Sequence, residues 1–250
     1  MAVNNFTVAD FLRRLNIKLR RHAGAIDTAD KVAALEEAQQ EVWSTLLRAS
    51  AAWFVVESQN VTSGDDDFFP VLVPATREYD LPKNFHQLYY VDVFESGQED
   101  LEFLSGYMTA NKYKQKRRSG AATAAGEKEY YYDVVGTNPS RFVMAQALPA
   151  AISSLDVKLF YVKILDRLVA ETDSIDDTIL PFIGPATSYA ASMLAAGVGA
   201  GELSSLWMNH WTLRKSELPL IATRLLADAP IVSGLSGDLP PQRDHVSGKV

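Results

Sequence analysis

Residues 42–61, VWSTLLRASAAWFVVESQNV, contain the point where the hydrophobic pattern changes period. Val42, Leu46 and Leu47 continue a helical stripe begun by Val32 and Leu35. Near Ala52 the period becomes two, and Trp53–Val61 reads as a strand. Short strand-like segments punctuated by Gly and Pro follow as far as the polar run Asp173-Ser174-Ile175-Asp176-Asp177. Beyond that run the spacing is helical again. Helices on both sides of one β block have to pair with each other across it. The expected fold is therefore α+β: a helical bundle formed by N- and C-terminal helices, with an inserted antiparallel β barrel or sandwich module. The expected organisation is a discontinuous helical layer of residues 1–51 and 174–228, a β module of 52–173 and an extended tail of 229–250. Strands and helices that do not interleave argue against a nucleotide-binding enzyme.

The flanking helices carry opposite charge. Thr7 can cap the first, with Asp10 at its third position. Val8, Phe11, Leu12, Leu15 and Leu19 form its apolar stripe, and Arg13, Arg14, Lys18, Arg20 and Arg21 lie opposite, up to a predicted end at Gly24. Thr28 is the predicted cap of the second helix, whose polar side holds Glu36, Glu37 and Glu41. A basic helix followed by an acidic one suggests pairing with each other or with copies of the chain; two solvated faces are the bland alternative.

Within the β block, Gly64-Asp65-Asp66-Asp67 reads as a turn and Pro70–Pro74 as a short extended piece. Leu88–Phe94 is a predicted strand with Tyr89, Val91 and Val93 on one face. Leu101–Tyr113 is ambiguous and allows a short helix. Lys112, Lys114, Lys116, Arg117 and Arg118 precede the small-residue stretch Ser119–Gly126. Contact with DNA phosphates, docking of an acidic partner and an ordinary solvated loop are the readings of that basic run. Tyr130–Val135 and Arg141–Ala147, joined by Gly136-Thr137-Asn138-Pro139, predict a hairpin. Leu155–Ile164 is the last strand. Pro181 and Pro185 suit a first helical turn. Gly197, Gly199 and Gly201 break the helix containing Tyr189–Ala195, and Pro219 kinks or splits the next one, which runs from Glu202. In the tail, Ile231, Val232, Leu235 and Leu239 are spaced through an otherwise polar composition of the kind that orders only against another subunit.

Composition narrows the function. Lys and Arg number 24 and Asp and Glu 31, a net charge of −7, which argues against tight wrapping of nucleic acid. There are no cysteines, so disulfides and thiolate zinc sites are excluded. No apolar run reaches the ~20 residues of a membrane span, and Met1–Asn5 lacks the features of a signal peptide, so a cytosolically made, soluble chain is expected. The four histidines, His22, His86, His210 and His245, have no partner at metal-ligand spacing. Asp65-Asp66-Asp67 lacks the calcium-loop spacing. No nucleophile elbow, carboxylate pair or Walker motif stands out. No catalytic, cofactor-binding or metal-binding residue is therefore assigned. The candidate partner contacts are Arg13, Arg14, Lys18, Arg21, the cations Lys112 to Arg118 named above, and the four aliphatic residues of the tail.

Two further segments carry a resemblance. One is Arg77-Glu78-Tyr79-Asp80-Leu81-Pro82-Lys83-Asn84-Phe85 leading into the Leu88–Phe94 strand. The other is Leu155-Asp156-Val157-Lys158-Leu159-Phe160-Tyr161, then Leu168, Asp176-Asp177 and Leu180-Pro181 before an Ala- and Tyr-bearing helix. With Ala34–Val42 upstream, their order resembles the head-to-tail adaptors of tailed bacteriophages, the connector or tubular tail protein A-like group, over residues 30–196. That resemblance implies a non-enzymatic structural subunit without cofactor. It implies a homo-oligomeric, dodecameric ring at the virion neck that binds the portal protein and a tail nozzle or tail tube protein. DNA only passes through its channel, and no membrane is involved. The alternatives are a host-surface or carbohydrate-binding β module, with Tyr130, Tyr131 and Tyr132 as a platform, and an unrecognised hydrolase. Three consecutive tyrosines on a strand point both ways, so at least one is expected in the core.

Overall fold

Thr7 and Asp10 start the first helix. The structure, a computed structural model, describes residues 6–60, 63–95, 105–107, 130–136, 141–145, 147–148 and 155–228. In it α1 spans Val8–Leu19, and the Asp10 carboxylate accepts hydrogen bonds from the Thr7 N–H and hydroxyl at 3.2 and 3.1 Å. Its five predicted apolar residues are all buried. The helix ends at Leu19, before Gly24, because Arg20 takes a φ of 53° and Arg20–Ala25 winds as a 3-10 turn. Helix α2, Thr28–Ala49, is preceded by Asp27, which takes the capping position expected of Thr28. After the β segments come α3 (Ile183–Gly197), α4 (Gly201–Lys215) and α5 (Leu218–Asp228). Pro181 sits in a 3-10 turn ahead of α3, and Gly199 turns the chain between α3 and α4 with a φ of 72°, a conformation that favours glycine.

The N- and C-terminal helices pair as the pattern predicts. Helix α3 packs against α1, α2 and α4. Ala186, Ala190, Ala191, Ala195, Ser188 and Ser192 are buried along it, and their small side chains let three neighbours approach closely. Phe11, Leu15, Leu19, Leu35, Val42, Leu46, Phe182 and Trp211 complete this helical core. Of the readings offered for basic α1 and acidic α2, pairing with each other is not seen: among the described residues no ion pair joins them within the subunit. Glu36 instead accepts from the Leu168 N–H at 2.9 Å, Glu37 from the Tyr189 hydroxyl at 3.5 Å and Glu41 from Lys215 Nζ at 2.5 Å.

The predicted strand at Trp53–Val61 is shorter than expected. Ala51–Phe54 forms a 3-10 turn, and among the described residues of that stretch only Val55–Glu57 is strand, β1; Val61 lies outside them. Tertiary contacts explain this. Phe54 is fully buried in the helical core, and Trp53 donates from Nε1 to the Thr178 carbonyl at 2.8 Å while meeting Phe182 edge-on. The remaining strands are β2 (Glu78–Asp80), β3 (Phe85–Glu95), β4 (Ser105–Tyr107), β5 (Tyr130–Val135), β6 (Arg141–Met144) and β7 (Leu155–Lys163). One sheet has the order β1-β7-β3 and is antiparallel; the other is β2-β6-β5-β4, antiparallel except for the parallel β4–β5 pair. Among the described residues no barrel closes: the two sheets are separate and enclose a core, as a sandwich does. Where a short helix was allowed, Ser105–Tyr107 is a strand. The β5–β6 hairpin pairs as predicted. The register of β3 slips between Leu88 and Tyr90, so Tyr89 is bulged out and exposed while Val91 is buried. The expected shared face of Tyr89 and Val91 is therefore lost.

Strand β7 is buried along one face and, at Val162 near its end, on the other as well. Val157, Leu159 and Tyr161 point into the sandwich with Phe69, Tyr79, Tyr132 and Phe142. Val162, followed by Leu165 and Leu168, points into the helical core. Alternation along a strand thus makes one element the wall between two cores. At its end Lys163 Nζ lies 2.5 Å from Asp176, with the two side chains only 20% and 12% exposed. Burial acts to raise the Asp176 pKa, but the bonds from Lys163 and Thr178 outweigh it and hold the carboxyl below its ordinary value. A lowered folded-state pKa means stability that is present above the ordinary 3.8 and is lost as pH falls through the lower folded value. Lys163→Met should therefore destabilise the chain by about 3 kcal/mol at neutral pH by leaving a buried carboxylate unpaired. Adding Asp176→Asn should recover most of that loss and flatten the acid limb of stability measured by denaturant unfolding. A single Lys163→Met variant as stable as the parent would contradict this reading.

Candidate assembly surfaces

Helix α1 presents a basic edge. Arg13 bonds Asp10 at 3.2 Å and is 80% exposed, and the Arg14 guanidinium lies 5.0 Å from the centre of the Phe6 ring. Arg20 and Arg21 are exposed, and Arg21 Nε lies 3.5 Å from His22 Nε2. Between them Ile17 stands 75% exposed. Lys18 does not join this edge. Its Nζ turns inward, donating to Ser188 Oγ at 2.6 Å and lying 4.2 Å from the centre of the Trp207 ring. Burial pushes its pKa down to about 8, against the ring face and the hydroxyl, both of which favour the ammonium.

Ser188 Oγ also lies 2.9 Å from His210 Nδ1. His210 is pushed below its ordinary value by burial first, then by Lys18 and Arg214. A hydroxyl between an amine and an imidazole has the outline of an activated nucleophile. Ser188 is completely buried, however, so no substrate reaches it. The cluster ties α1, α3 and α4 together. No sequence motif announced it, since Lys18 and Ser188 are 170 residues apart.

The second surface is the outer side of α4 and α5. Leu203, Trp207 and Trp211 of α4 pack inward. Leu206 and Leu213, two turns apart, are 52% and 71% exposed, and Leu220 of α5 is 62% exposed. Met208, Leu225 and Leu226 are exposed as well. Helix α4 is thus apolar on both sides.

Two hollows complete the surface. One, of about 410 Å³, runs between α2 and the end of α3. Ile26, Ala33, Met193, Leu194 and Val198 line it, with Asp30 and Glu37 at its rim. The other, of about 1020 Å³, lies beside β2 and includes Phe68, Tyr79, Phe85 and Arg141. There Arg141 is already paired with Glu78 and Asp80 at 3.0 and 3.5 Å.

Lys112, Lys114, Lys116, Arg117, Arg118, Ile231, Val232, Leu235 and Leu239 lie outside the described residues. Tyr132 is buried and stacked on Phe142, with ring centres 5.0 Å apart, so this member of the proposed tyrosine platform belongs to the core. Among the described residues no group of three or more His, Asp or Glu could hold a metal ion, and no helix is long and apolar enough to cross a membrane. No protein-family model matches the chain, and no curated protein matches it.

Proposed function

We propose that the chain is a structural head-to-tail adaptor of a tailed bacteriophage. It forms a homo-oligomeric, dodecameric ring that joins the portal protein to a tail nozzle or tube protein. It is made in the host cytoplasm and resides in the virion neck. The observation that supports this most is the set of exposed leucines on α4 and α5, Leu206, Leu213 and Leu220. Large apolar side chains left open on a folded surface are suited to a neighbouring copy, and a ring gives every copy a neighbour on each side. The net charge of −7 suits a channel that lets DNA pass without gripping it. The motif order described above supplies the identity of the assembly.

Mixing the purified chain with portal rings and imaging by negative stain tests the reading. Coaxial rings seated on the portal are the expected result. A folded chain that neither associates with itself nor binds portal at any concentration would overturn it. Glycan binding by an isolated subunit would favour the carbohydrate-binding alternative, and turnover abolished by one carboxylate substitution would favour a hydrolase.

A further inference from the structure

We infer that the basic edge of α1 in one copy seats on the acid-rimmed groove between α2 and α3 of a second copy. The inference rests on the ring reading above and names the contact that would build the ring. Three properties of the two patches match. The first is charge. Arg13 lies four residues before Ile17 on the same face of α1, and the exposed Arg20 and Arg21 follow directly on the helix's last residue, Leu19. Asp30 and Glu37 are seven residues apart, two turns on one face of α2, and both are exposed. The second is shape. Ile17 is an isolated apolar knob, 75% exposed. The groove offers an apolar floor of Ile26, Ala33, Met193, Leu194 and Val198 in about 410 Å³, room for one aliphatic side chain. The third is availability. Within the subunit Arg20, Arg21, Asp30 and Glu37 form no ion pair among the described residues.

The division of labour follows from magnitudes. Exposed ion pairs contribute little affinity but select orientation and speed encounter. Ile17 supplies the apolar burial that holds the contact. The two patches are unlike, so the contact is head-to-tail. Such a contact closes into a ring when its rotation permits.

Charge exchange tests this. One variant carries Arg20→Glu and Arg21→Glu; another carries Asp30→Lys and Glu37→Lys. All four side chains are exposed, so each variant should keep the parent's circular dichroism and melting. Self-association, read by sedimentation velocity at low salt, should fall by more than about tenfold in each variant alone, since like charges then face each other. It should return when the two variants are mixed or when all four changes share one chain. The losses should shrink as salt is raised. Ile17→Asp should abolish association with no rescue by charge. Parent chain that associates while both variants associate equally well would overturn the contact and leave the adaptor reading standing. The same holds if mixing fails to restore association. Association that follows the charge pattern without any binding to portal would keep the contact and overturn the adaptor reading.

Discussion

Phe142→Ala in the β sandwich is expected to lower stability by about 3–5 kcal/mol and to shift the unfolding of the helical layer with it. Phe142 is fully buried, with Phe69 and Tyr132 rings centred 5.4 and 5.0 Å away. Its removal leaves a cavity that two aromatic neighbours cannot fill without moving. A loss of that size is a large fraction of the roughly 5–15 kcal/mol that holds a folded chain together. The reach of the effect comes from β7. Leu159 and Tyr161 serve the sandwich, whereas Val162 on the same strand serves the helices. All four tryptophans, Trp43, Trp53, Trp207 and Trp211, belong to the helical core or pack on it. Tryptophan fluorescence therefore reports the layer that Phe142 does not touch. The fluorescence midpoint in denaturant should fall together with the circular dichroism midpoint. Phe182→Ala, in the helical core against Trp53, should produce the same coincident shift from the other side. If Phe142→Ala left the tryptophan transition where it was, the two cores would be independent and the shared strand would not couple them.

Leu206→Glu combined with Leu213→Glu should abolish assembly and leave the subunit folded. Both side chains are more than half exposed, so little native packing is lost, and the melting temperature should stay close to that of the parent. In an assembled ring each leucine would be worth about 1.5–3 kcal/mol of burial. Two together correspond to more than about a hundredfold in affinity, before the cost of burying two carboxylates is added. Titration of portal with the variant, read by negative stain and sedimentation, is the measurement. Rings that form at the parent's concentration would show that this face stays open to solvent and serves no neighbour. The outcome is independent of the α1 contact, because α4 and α5 contribute no residue to it.

The sequence determined those features that depend on near neighbours. Thr7 and Asp10 form a capping box three residues apart, and the stripe Val8, Phe11, Leu12, Leu15 and Leu19 is buried because α-helical spacing puts those residues on one side. The β5–β6 hairpin, the helix break at Gly197–Gly201 and the split at Pro219 were legible for the same reason: backbone hydrogen bonding and turn chemistry are local. So was the α+β class, because two helical patterns flanking a β pattern have to close on each other. Tertiary structure alone decided what depends on residues far along the chain. Trp53 and Phe54 follow a strand-like alternation, yet they wind into a 3-10 turn because the Thr178 carbonyl, 125 residues away, and Phe182 hold them in the helical core. Tyr89 leaves the face of Val91 because the register against β7 slips there. Lys18 has the spacing of a surface cation, but Ser188 and Trp207 draw it inward. Helix α4 is apolar on both sides, so only its packing on α3 could decide that Trp211 is covered and Leu213 is left outside. In each of these cases local spacing allows two outcomes of similar energy, and a distant partner supplies the few kcal/mol that separates them.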